Sequence, residues 1–327
     1  MVLDLNSLSR KTLLITGGTG MIGKWMIDYL LDRVTCNIIV TGRSEKKFKE
    51  RFPARAVAFI KWDATHERLP MIEGPIDYII HLASNTHPVA YATDPVSTIV
   101  MNVNATKELL DLSVKKKIIR FVYASSVEIY GQNRGDIEKF TENYCGYIDC
   151  NTLRAGYPES KRCGEALCQA YIKKYGLDIV IPRIARVYGP TLLKTDTKAL
   201  SQFLANAIEG RDIILKSEGK QYFSYLHVAD AVSGIFAVML NGKKGEAYNL
   251  ADEKCDIMLR DLAMLIAKAC GCKVVFDVPS GVEQIGFSPV MCARMDNKKV
   301  SQLGWHAAFD IASGIVDTIA QLKDGRE

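Results

Sequence analysis

The sequence predicts an α/β protein with a Rossmann-like, doubly wound parallel sheet and a smaller, mixed α/β C-terminal lobe. Apolar runs of strand length alternate with helical periods through the first half of the chain, which is typical of parallel strands joined by crossover helices. The glycine-rich segment "TGGTGMIG" at 16–23 ends the first apolar run and opens a helical period. After residue 190 the elements become shorter and mixed, which indicates the second lobe.

Each predicted strand is a short apolar run, and each predicted helix shows the helical period of apolar residues. The strands are expected at 13–16, 37–41, 57–61, 78–82, 119–125 and 179–183. The helices are expected at about 21–32, 97–116 and 157–175, and then near 197–209, 228–240 and 257–269. We therefore expect an NAD(P)-binding Rossmann domain over residues 1–182 and a substrate-binding lobe over 183–327, with some of the later chain returning to the first domain.

The composition is that of a soluble globular protein and argues against several classes of function. The 327 residues are 48% hydrophobic and 24% charged, and the charges behind the net +5 are scattered, so no nucleic-acid partner is expected. The nine cysteines contain no pair of C-x-x-C knuckles, so no metal site is expected. Without a signal peptide, or an apolar run approaching the roughly 20 residues that span a bilayer, we expect a cytoplasmic protein that binds no membrane.

The glycine-rich segment predicts a dinucleotide site at the end of the first strand. In its pattern, G-x-x-G-x-x-G, the glycines let the turn tighten and let the backbone approach a pyrophosphate at the helix N-terminus. The loop residues expected to contact the cofactor are Gly17, Thr19, Gly20, Met21, Ile22 and Gly23. Three glycines in this position favour a dinucleotide site over a plain strand-to-helix turn.

The end of the second strand favours NADP over NAD. NAD sites usually place Asp or Glu there to hold the ribose 2′-hydroxyl, whereas this strand ends in "TGRS", which contains Arg43. A guanidinium can pair with the 2′-phosphate of NADP, although Arg43 could instead stack on the adenine of NAD. Asp63, just after the third strand, is a candidate partner for the adenine amine, and a turn or helix-capping role is the alternative.

Tyr157 and Lys161 form a candidate proton-transfer pair. Their i, i+4 spacing in "YPESK" puts both on one face of a helix whose start is marked by Pro158. An ammonium beside a phenol favours the phenolate, so we expect Lys161 to lower the pKa of Tyr157 from its ordinary value of about 10 towards neutral. Tyr157 would then act as general base on a sugar hydroxyl while hydride leaves for a nicotinamide, and Ser126, at the end of a strand of the same sheet, would share that hydroxyl.

Several motifs together resemble the extended short-chain dehydrogenase/reductase family, which includes the nucleotide-sugar epimerases and dehydratases. They are T-G-x-x-G-x-x-G, "HLAS" at 81–84, Asn102, Ser126 and Y-x-x-x-K, and the similarity also covers "RIARVYGP" at 183–190, "YLHVAD" at 225–230 and "MDNKKVSQLGW" at 295–305. The resemblance implies a tightly held NAD(P), transient oxidation of carbon 4 of a nucleotide sugar, and a homodimer formed through the helices near 97–116 and 157–175. Further cofactor contacts that it implies are Leu82, Ala83, Ser84, Asn102, Tyr157 and Lys161, and Ser84 is also expected to contact the substrate.

Glu128 indicates a second chemical step. It follows Ser126 by two residues in "SSVEIYG", which puts both on the same face of a strand, and strand ends in this fold open onto the site. Once a 4-keto sugar exists, a carboxylate there can remove the proton on carbon 5 or assist loss of carbon dioxide. Glutamate at this position resembles the 4,6-dehydratases and the UDP-glucuronate decarboxylases, whereas simple 4-epimerases usually carry a small residue. A surface ion pair with an arginine is the alternative role.

Two longer segments bring the resemblance closest to the UDP-glucuronate decarboxylase branch. The segment 81–102, "HLASNTHPVAYATDPVSTIVMN", keeps the positions of Pro88, Tyr91, Pro95 and Asn102. The segment 142–162, "ENYCGYIDCNTLRAGYPESKR", keeps those of Glu142, Tyr144, Gly146, Arg154, Tyr157, Lys161 and Arg162.

Departures from that branch fall on substrate-binding positions. Val127 replaces the acidic aspartate of dTDP-glucose dehydratases, which argues against that mechanism. Phe223 replaces the family's diphosphate-binding arginine, whose loss would cost roughly 1.5–3 kcal/mol per charged hydrogen bond unless it is replaced. Arg186, in place of an asparagine, is a candidate replacement that could reach the diphosphate or a sugar carboxylate; a structural ion pair is the alternative. Arg294 lies close to, but not in register with, an arginine of the decarboxylases and is a further candidate substrate contact.

These observations predict an NAD(P)-dependent enzyme that oxidises carbon 4 of a nucleotide sugar and then decarboxylates or dehydrates it. A nucleotide-sugar 4-epimerase is the nearest alternative. An NADPH-dependent keto-sugar reductase, which Arg43 would favour, is the next. A cofactor-binding regulatory protein on the same fold is a different class, and the presence of both Tyr157 and Lys161 argues against it.

Overall fold

A parallel sheet of eight strands forms the centre of the molecule in the computed structural model, which describes residues 4–53, 55–84, 93–193, 196–277 and 292–325. The strands are β1 (Thr12–Thr16), β2 (Asn37–Gly42), β3 (Ala58–Lys61), β4 (Tyr78–His81), β5 (Arg120–Tyr123), β6 (Ser125–Ser126), β7 (Ile179–Ile184) and β11 (Ala247–Leu250). Their order is β11-β7-β5-β4-β1-β2-β3, with β6 beside β7. The order reverses between β1 and β4, so the crevice at the carboxyl ends of these strands is the expected place for a ligand.

Side chains of the central strands alternate between two apolar cores, one on each face of the sheet. Leu13 and Ile15 of β1 belong to one core and Leu14 to the other, as the two-residue period of a strand requires. The helices are α1 (Met21–Leu31), α2 (Glu45–Arg51), α3 (Pro95–Lys116), α4 (Gly156–Tyr175), α5 (Ala199–Ile208), α6 (Val228–Asn241), α7 (Leu259–Cys270), α8 (Lys298–Ser301) and α9 (Ile311–Asp324). Helices α1 and α6 contribute to the first core and α3 and α4 to the second, which is the doubly wound arrangement.

The C-terminal half builds a smaller layer over the carboxyl ends of the large sheet. Strands β8 (Arg186–Tyr188), β10 (Tyr222–His227), β12 (Asp256–Met258) and β14 (Cys292–Ala293) form a mixed sheet in which β10 is central. Strands β9 (Ile213–Leu215) and β13 (Val274–Phe276) pair separately. Because β8 follows directly after β7, the chain passes from the large sheet into this layer beside the ligand crevice.

The predicted α/β fold is confirmed. A strand break and a short helix differ from the prediction, and a late strand joins the large sheet, where some of the later chain was expected to return. The single strand expected over 119–125 is interrupted at Ala124, so β5 pairs with β4 whereas β6 pairs only with β7. Helix α2 was not predicted, although Ser44 accepts a hydrogen bond from the Lys47 amide as an N-cap. Strand β11, from the second half of the chain, extends the large sheet beyond β7. In the part of the chain that is described, no helix is long and apolar enough to cross a membrane.

Candidate active site

A cavity of about 810 Å³ opens at the carboxyl ends of the parallel strands, where the two layers meet. Most of the residues that the sequence singled out line it together. They are Gly17, Thr19, Gly20, Met21, Ile22, Gly23, Arg43, Asp63, Leu82, Ala83, Ser84, Ser126, Glu128, Tyr157, Lys161, Arg186 and Phe223. The C-terminal layer adds lining residues that the sequence did not indicate, among them Lys198, Gln202 and Lys216.

The glycine-rich loop leaves room for a ligand at the start of α1. Gly17 has φ +71°, and a Cβ on it would lie 2.8 Å from the Ala83 nitrogen, so only glycine fits there. A Cβ on Gly23 would lie 2.4 Å from the Gly17 oxygen, so this glycine lets the helix pack against the turn. Gly20, the N-cap of α1, offers no side-chain cap to the first amides of the helix, and Met21 and Ile22 line the cavity. These residues fit the pyrophosphate of a dinucleotide.

Two cations lie at the end of the cavity formed by β2 and α2. Arg43 and Lys47 both line it, and Asp63 lines it after β3. The pKa of Lys47 is lowered by burial and further by the charges of Arg51 and Arg43. Asp63 accepts a hydrogen bond from the Thr65 amide at 3.1 Å, so it holds a turn, which is its alternative role, while also lining the cavity. The sequence missed Lys47, and the signal that could have found it was the N-cap serine of α2.

A chain of buried hydrogen bonds connects Ser84 with the helix that carries Tyr157. Ser84 Oγ donates to Asn102 Oδ1 at 2.7 Å, and Asn102 Nδ2 donates to Ser160 Oγ at 2.8 Å. Ser160 Oγ in turn donates to the Tyr157 carbonyl at 2.8 Å. Asn102 is therefore placed behind the cavity wall, where it orients Ser84 and the first turn of α4, rather than on the cavity surface.

His81 links the cofactor loop to α3 and was not assigned a role from the sequence. Thr106 Oγ1 donates to the Asn102 carbonyl at 2.6 Å, so it accepts from His81 Nε2, 3.2 Å away. His81 Nδ1 then accepts from Thr16 Oγ1 at 2.7 Å. Burial, followed by the charge of Lys161, lowers the pKa of His81 to about 3, so the imidazole is neutral and holds this one tautomer.

Tyr157 is buried against Ser126 and Ser84, and the pKa of its phenol shifts in the direction opposite to the prediction. Burial raises the pKa of Tyr157 to about 12, hydrogen bonds with Ser126 and Ser84 lower it, and the charge of Glu128 raises it. The lowering towards neutral that was expected from Lys161 is therefore not found. The physical reason is that removing a phenol from water disfavours the phenolate.

Lys161 is also buried and is oriented by the break between β5 and β6. Its Nζ donates to the Ala124 carbonyl at 2.9 Å and lies 5.0 Å from the centre of the Tyr123 ring. Burial lowers the pKa of Lys161 to about 8, against the opposing effect of Glu165. The ammonium is thus held at the interruption of the strand, on the helix that also carries Tyr157.

Glu128 lies in a 3₁₀ turn, Val127–Tyr130, and not on a strand as the sequence suggested. Its amide donates to Ser126 Oγ at 3.2 Å, the N-cap bond of the turn, and both residues line the same cavity. Arg186 Nη2 donates to Glu128 Oε1 at 3.1 Å, and the Arg186 guanidinium carbon lies 3.8 Å from the centre of the Phe223 ring. An ion pair was the alternative role for both Glu128 and Arg186, and here they pair with each other inside the cavity lining.

Arg294, the other arginine that the sequence suggested as a substrate contact, has different neighbours. Its guanidinium lies 4.5 Å from the centre of the Tyr222 ring and 3.4 Å from the Glu138 carboxylate, and among the described residues it is not part of the cavity lining. Arg162 supports the site from outside by donating to the carbonyls of Ile129 and Gly146. Pro88 and Tyr91, which contributed to the resemblance, lie outside the described residues.

Comparison with known proteins places this site in a family. The model of the "NAD dependent epimerase/dehydratase family" matches residues 13–251. This chain belongs to that family. It is 29% identical to UDP-glucuronic acid decarboxylase 1 of Xenopus tropicalis over 96% of this chain and 73% of the relative. It is 31% identical to UDP-glucuronic acid decarboxylase 6 of Arabidopsis thaliana over 72% of this chain and 68% of the relative.

Solved structures with this fold include an epimerase and a dehydratase. UDP-glucose 4-epimerase from Thermotoga maritima, with UDP-glucose, superimposes with a TM-score of 0.83 at 20% identity, covering 97% of this chain and all of that one. dTDP-glucose 4,6-dehydratase from Bacillus anthracis, in complex with NAD, gives 0.79 at 22% identity, covering 97% of each chain. The predicted family, its closeness to the UDP-glucuronate decarboxylases and the prediction of an NAD-dependent enzyme of the epimerase/dehydratase group are confirmed.

Proposed function

We propose that this epimerase/dehydratase-family protein acts on a UDP-linked uronic acid, oxidises carbon 4 transiently and then removes the carboxyl group as carbon dioxide. The observation that carries the proposal is the position of Glu128, a carboxylate beside Ser126 and Tyr157 in one cavity. The names of the curated relatives point to the same reaction.

Four polar residues of the cavity have tasks in this reaction. Tyr157 takes the proton of the 4-hydroxyl, Ser126 holds that hydroxyl by a hydrogen bond, and Lys161 orients the nicotinamide ribose. A bound oxidised nicotinamide dinucleotide would supply the hydride acceptor and a positive charge that favours the phenolate of Tyr157. The 4-keto group takes up the electron pair of the bond to the carboxyl carbon as carbon dioxide leaves, and Glu128 directs a proton from water onto carbon 5 of the resulting enolate. Return of the hydride to carbon 4, with the proton held by Tyr157, would restore the hydroxyl and complete the cycle.

A screen of nucleotide sugars by mass spectrometry tests this function. The purified protein should convert UDP-glucuronate with loss of carbon dioxide and without added cofactor. Conversion with unchanged mass would make it an epimerase, loss of water a dehydratase, and stoichiometric consumption of NADPH a reductase. Each of these three results contradicts the decarboxylase assignment.

We further propose that the cofactor is NADP rather than NAD. Arg43 and Lys47 support this, because both line the cavity at the end of β2. Burial, together with the charges of Arg51 and Arg43, lowers the pKa of Lys47, a cost that a bound phosphate would relieve. Arg43→Ala should weaken NADP binding selectively when both dinucleotides are titrated. Equal weakening of NAD and NADP would mean that Arg43 stacks on the adenine.

The assembly and the division of the chain are proposals as well. We propose a homodimer formed through α3 and α4, which is supported by exposed apolar side chains on and beside them, Val96, Ile99 and Leu153. We also propose that residues 1–182 bind the dinucleotide and that 183–327 chiefly bind the substrate, with β11 as the part that returns to the large sheet.

A further inference from the structure

Arg186 has an unusual set of neighbours for an arginine in a ligand cavity. Arg186 is the first residue of β8 and pairs with Tyr225 of β10. Its side chain lies against the ring of Phe223, which is two residues before Tyr225 and on the same face of β10. One guanidinium nitrogen, Nη2, binds Glu128, as described above. The other, Nη1, is buried and has no hydrogen-bond partner within the described ranges of the chain. The guanidinium therefore has donor capacity that the protein itself leaves unused.

This guanidinium lies at the reacting end of the cavity. Its partner Glu128 is hydrogen-bonded through its amide to Ser126, and the charge of Glu128 is felt by Tyr157. A group that contacts Glu128 is thus next to the part of the sugar that Tyr157 and Ser126 would hold. Positive charge for a diphosphate is available from other lining residues, such as Lys198.

We propose that Arg186, supported by the Phe223 ring, selects a sugar that carries a carboxylate by binding that carboxylate directly. The inference rests on the proposed function and deepens it, because it assigns the residue that distinguishes a uronic acid from a neutral hexose. The planar guanidinium offers parallel N–H groups that match a carboxylate, and stacking on an aromatic ring keeps its plane fixed while leaving its edge free.

The charges explain why such a residue is needed here. A uronate bound beside Tyr157 would bring a second carboxylate next to Glu128, and two neighbouring negative charges repel each other. Arg186 between them offsets one negative charge and gives its unused Nη1 an acceptor. A neutral hexose carries no charge for Arg186 to pair with, so its binding should not depend on that pairing.

Binding measurements test this selection without relying on turnover. In protein loaded with NADP⁺ and carrying Tyr157→Phe, so that the sugar is not consumed, titration calorimetry would give the dissociation constants of UDP-glucuronate, UDP-glucose and UDP. Arg186→Gln should weaken UDP-glucuronate by roughly tenfold to a hundredfold, the loss of one charge-assisted contact, and leave UDP-glucose and UDP unchanged. Arg186→Lys, which keeps the charge without the planar fork, should fall between the parent and Arg186→Gln.

The matched control is Arg33→Gln. It also removes a guanidinium from an aromatic ring, that of Tyr29 at 4.0 Å, but outside the cavity lining, and it should change none of the three affinities. Should Arg186→Gln fail to fold, Phe223→Leu keeps the guanidinium and removes its support, and it should weaken UDP-glucuronate alone.

Two results would overturn the inference. Equal weakening of all three ligands by Arg186→Gln would mean that Arg186 binds the diphosphate, and unchanged affinity for UDP-glucuronate would mean that it only pairs with Glu128. The proposed function fails separately, when the unmodified protein binds UDP-glucuronate but does not release carbon dioxide from it.

Discussion

Tyr157 has to lose its proton before it can take one from a sugar hydroxyl, yet burial raises the pKa of Tyr157 to about 12 in this structure. The hydrogen bonds of Ser126 and Ser84 oppose that shift, and so would a cationic ligand beside the ring. Tyr157→Phe removes the base while keeping the ring, so turnover should fall by at least about a hundredfold. The measurement is turnover of UDP-glucuronate, with dinucleotide binding as the control that the cavity is intact. Near-normal turnover would contradict the role of Tyr157 as the base.

Glu128→Gln should separate the two chemical steps and shift the pH dependence of the first. The negative charge of Glu128 favours the protonated phenol and raises the pKa of Tyr157, so removing the charge lowers that pKa. Hydride transfer requires the deprotonated phenol and rises with pH, so in Glu128→Gln its rise should begin at a lower pH than in the parent. Single-turnover absorbance of the reduced dinucleotide would measure this, and a 4-keto sugar should accumulate. Final product formed at the parent rate would show that Glu128 has no part in the second step.

The placement of a single residue could be predicted where local spacing along the chain determines it, but not where a contact between distant segments determines it. Tyr157 and Lys161 share a helix face through their spacing, and Ser126 ends a strand, so the sequence located all three. The ion pair between Glu128 and Arg186 joins residues 58 positions apart, each two residues beyond the parallel pair Ser126–Ile184 of β6 and β7, and no local pattern encodes that register. The direction of the Tyr157 pKa shift depends on burial, which the sequence does not show at a single position.

Helix α4 packs closely against β5 because a glycine, Gly164, lies in the middle of the helix. A Cβ on Gly164 would lie 2.0 Å from the Tyr123 hydroxyl oxygen, which is itself buried beneath the helix. Alanine normally stabilises a helix relative to glycine, but here it would force the helix away from β5. Gly164→Ala should therefore lower the free energy of unfolding by about 1–3 kcal/mol, measured by chemical denaturation.

The control for that substitution is Cys163→Ala. Cys163 is its exposed neighbour on α4, so its truncation should change the free energy of unfolding by less than about 0.5 kcal/mol. Because α4 also carries Tyr157 and Lys161, Gly164→Ala should reduce turnover as well as stability. A Gly164→Ala protein as stable as the parent would mean that the helix can shift without loss of packing.

Elements were predicted well where periodicity is long and less well where a functional contact interrupts it. Helices α3 and α4 begin within two residues of their predicted starts, since each is a long periodic segment. At the break between β5 and β6, the Ala124 carbonyl accepts a hydrogen bond from Lys161, a tertiary contact that the strand period does not show. Helix α2 has only seven residues, too few for a clear period.

The sheet topology predicts where the cavity lies in the molecule, but it does not predict which residues the C-terminal layer adds to the lining. A doubly wound sheet places ligands at the carboxyl ends of its strands, so the glycine-rich loop, Ser126 and Tyr157 were expected to converge. The wall from the C-terminal layer depends on how short strands such as β8 and β9 dock over that edge. Those strands have three residues each, and their pairing partners are distant in sequence, so the contributions of Lys198 and Lys216 were not predicted.

The proposed homodimer makes the last prediction, because a single chain leaves apolar side chains uncovered on one face. Val96 is 68% exposed and Ile99 42% exposed on α3, and Leu153, just before α4, is 63% exposed. The two helices are close together here, since a Cβ on Gly156 would lie 3.1 Å from Ile99 Cγ1. A two-fold axis through this face would pair each helix with its copy and remove these side chains from water.

Val96→Glu should therefore weaken the dimer, because it would bury a carboxylate in that contact. Light scattering coupled to size-exclusion chromatography should show the parent protein as a dimer and Val96→Glu shifted towards the monomer at the same concentration. Val316→Glu is the matched control: Val316 is 59% exposed on α9, a different helix, and its substitution should leave the dimer intact. A parent protein that elutes as a monomer, or equal effects of the two substitutions, would contradict an interface on α3 and α4.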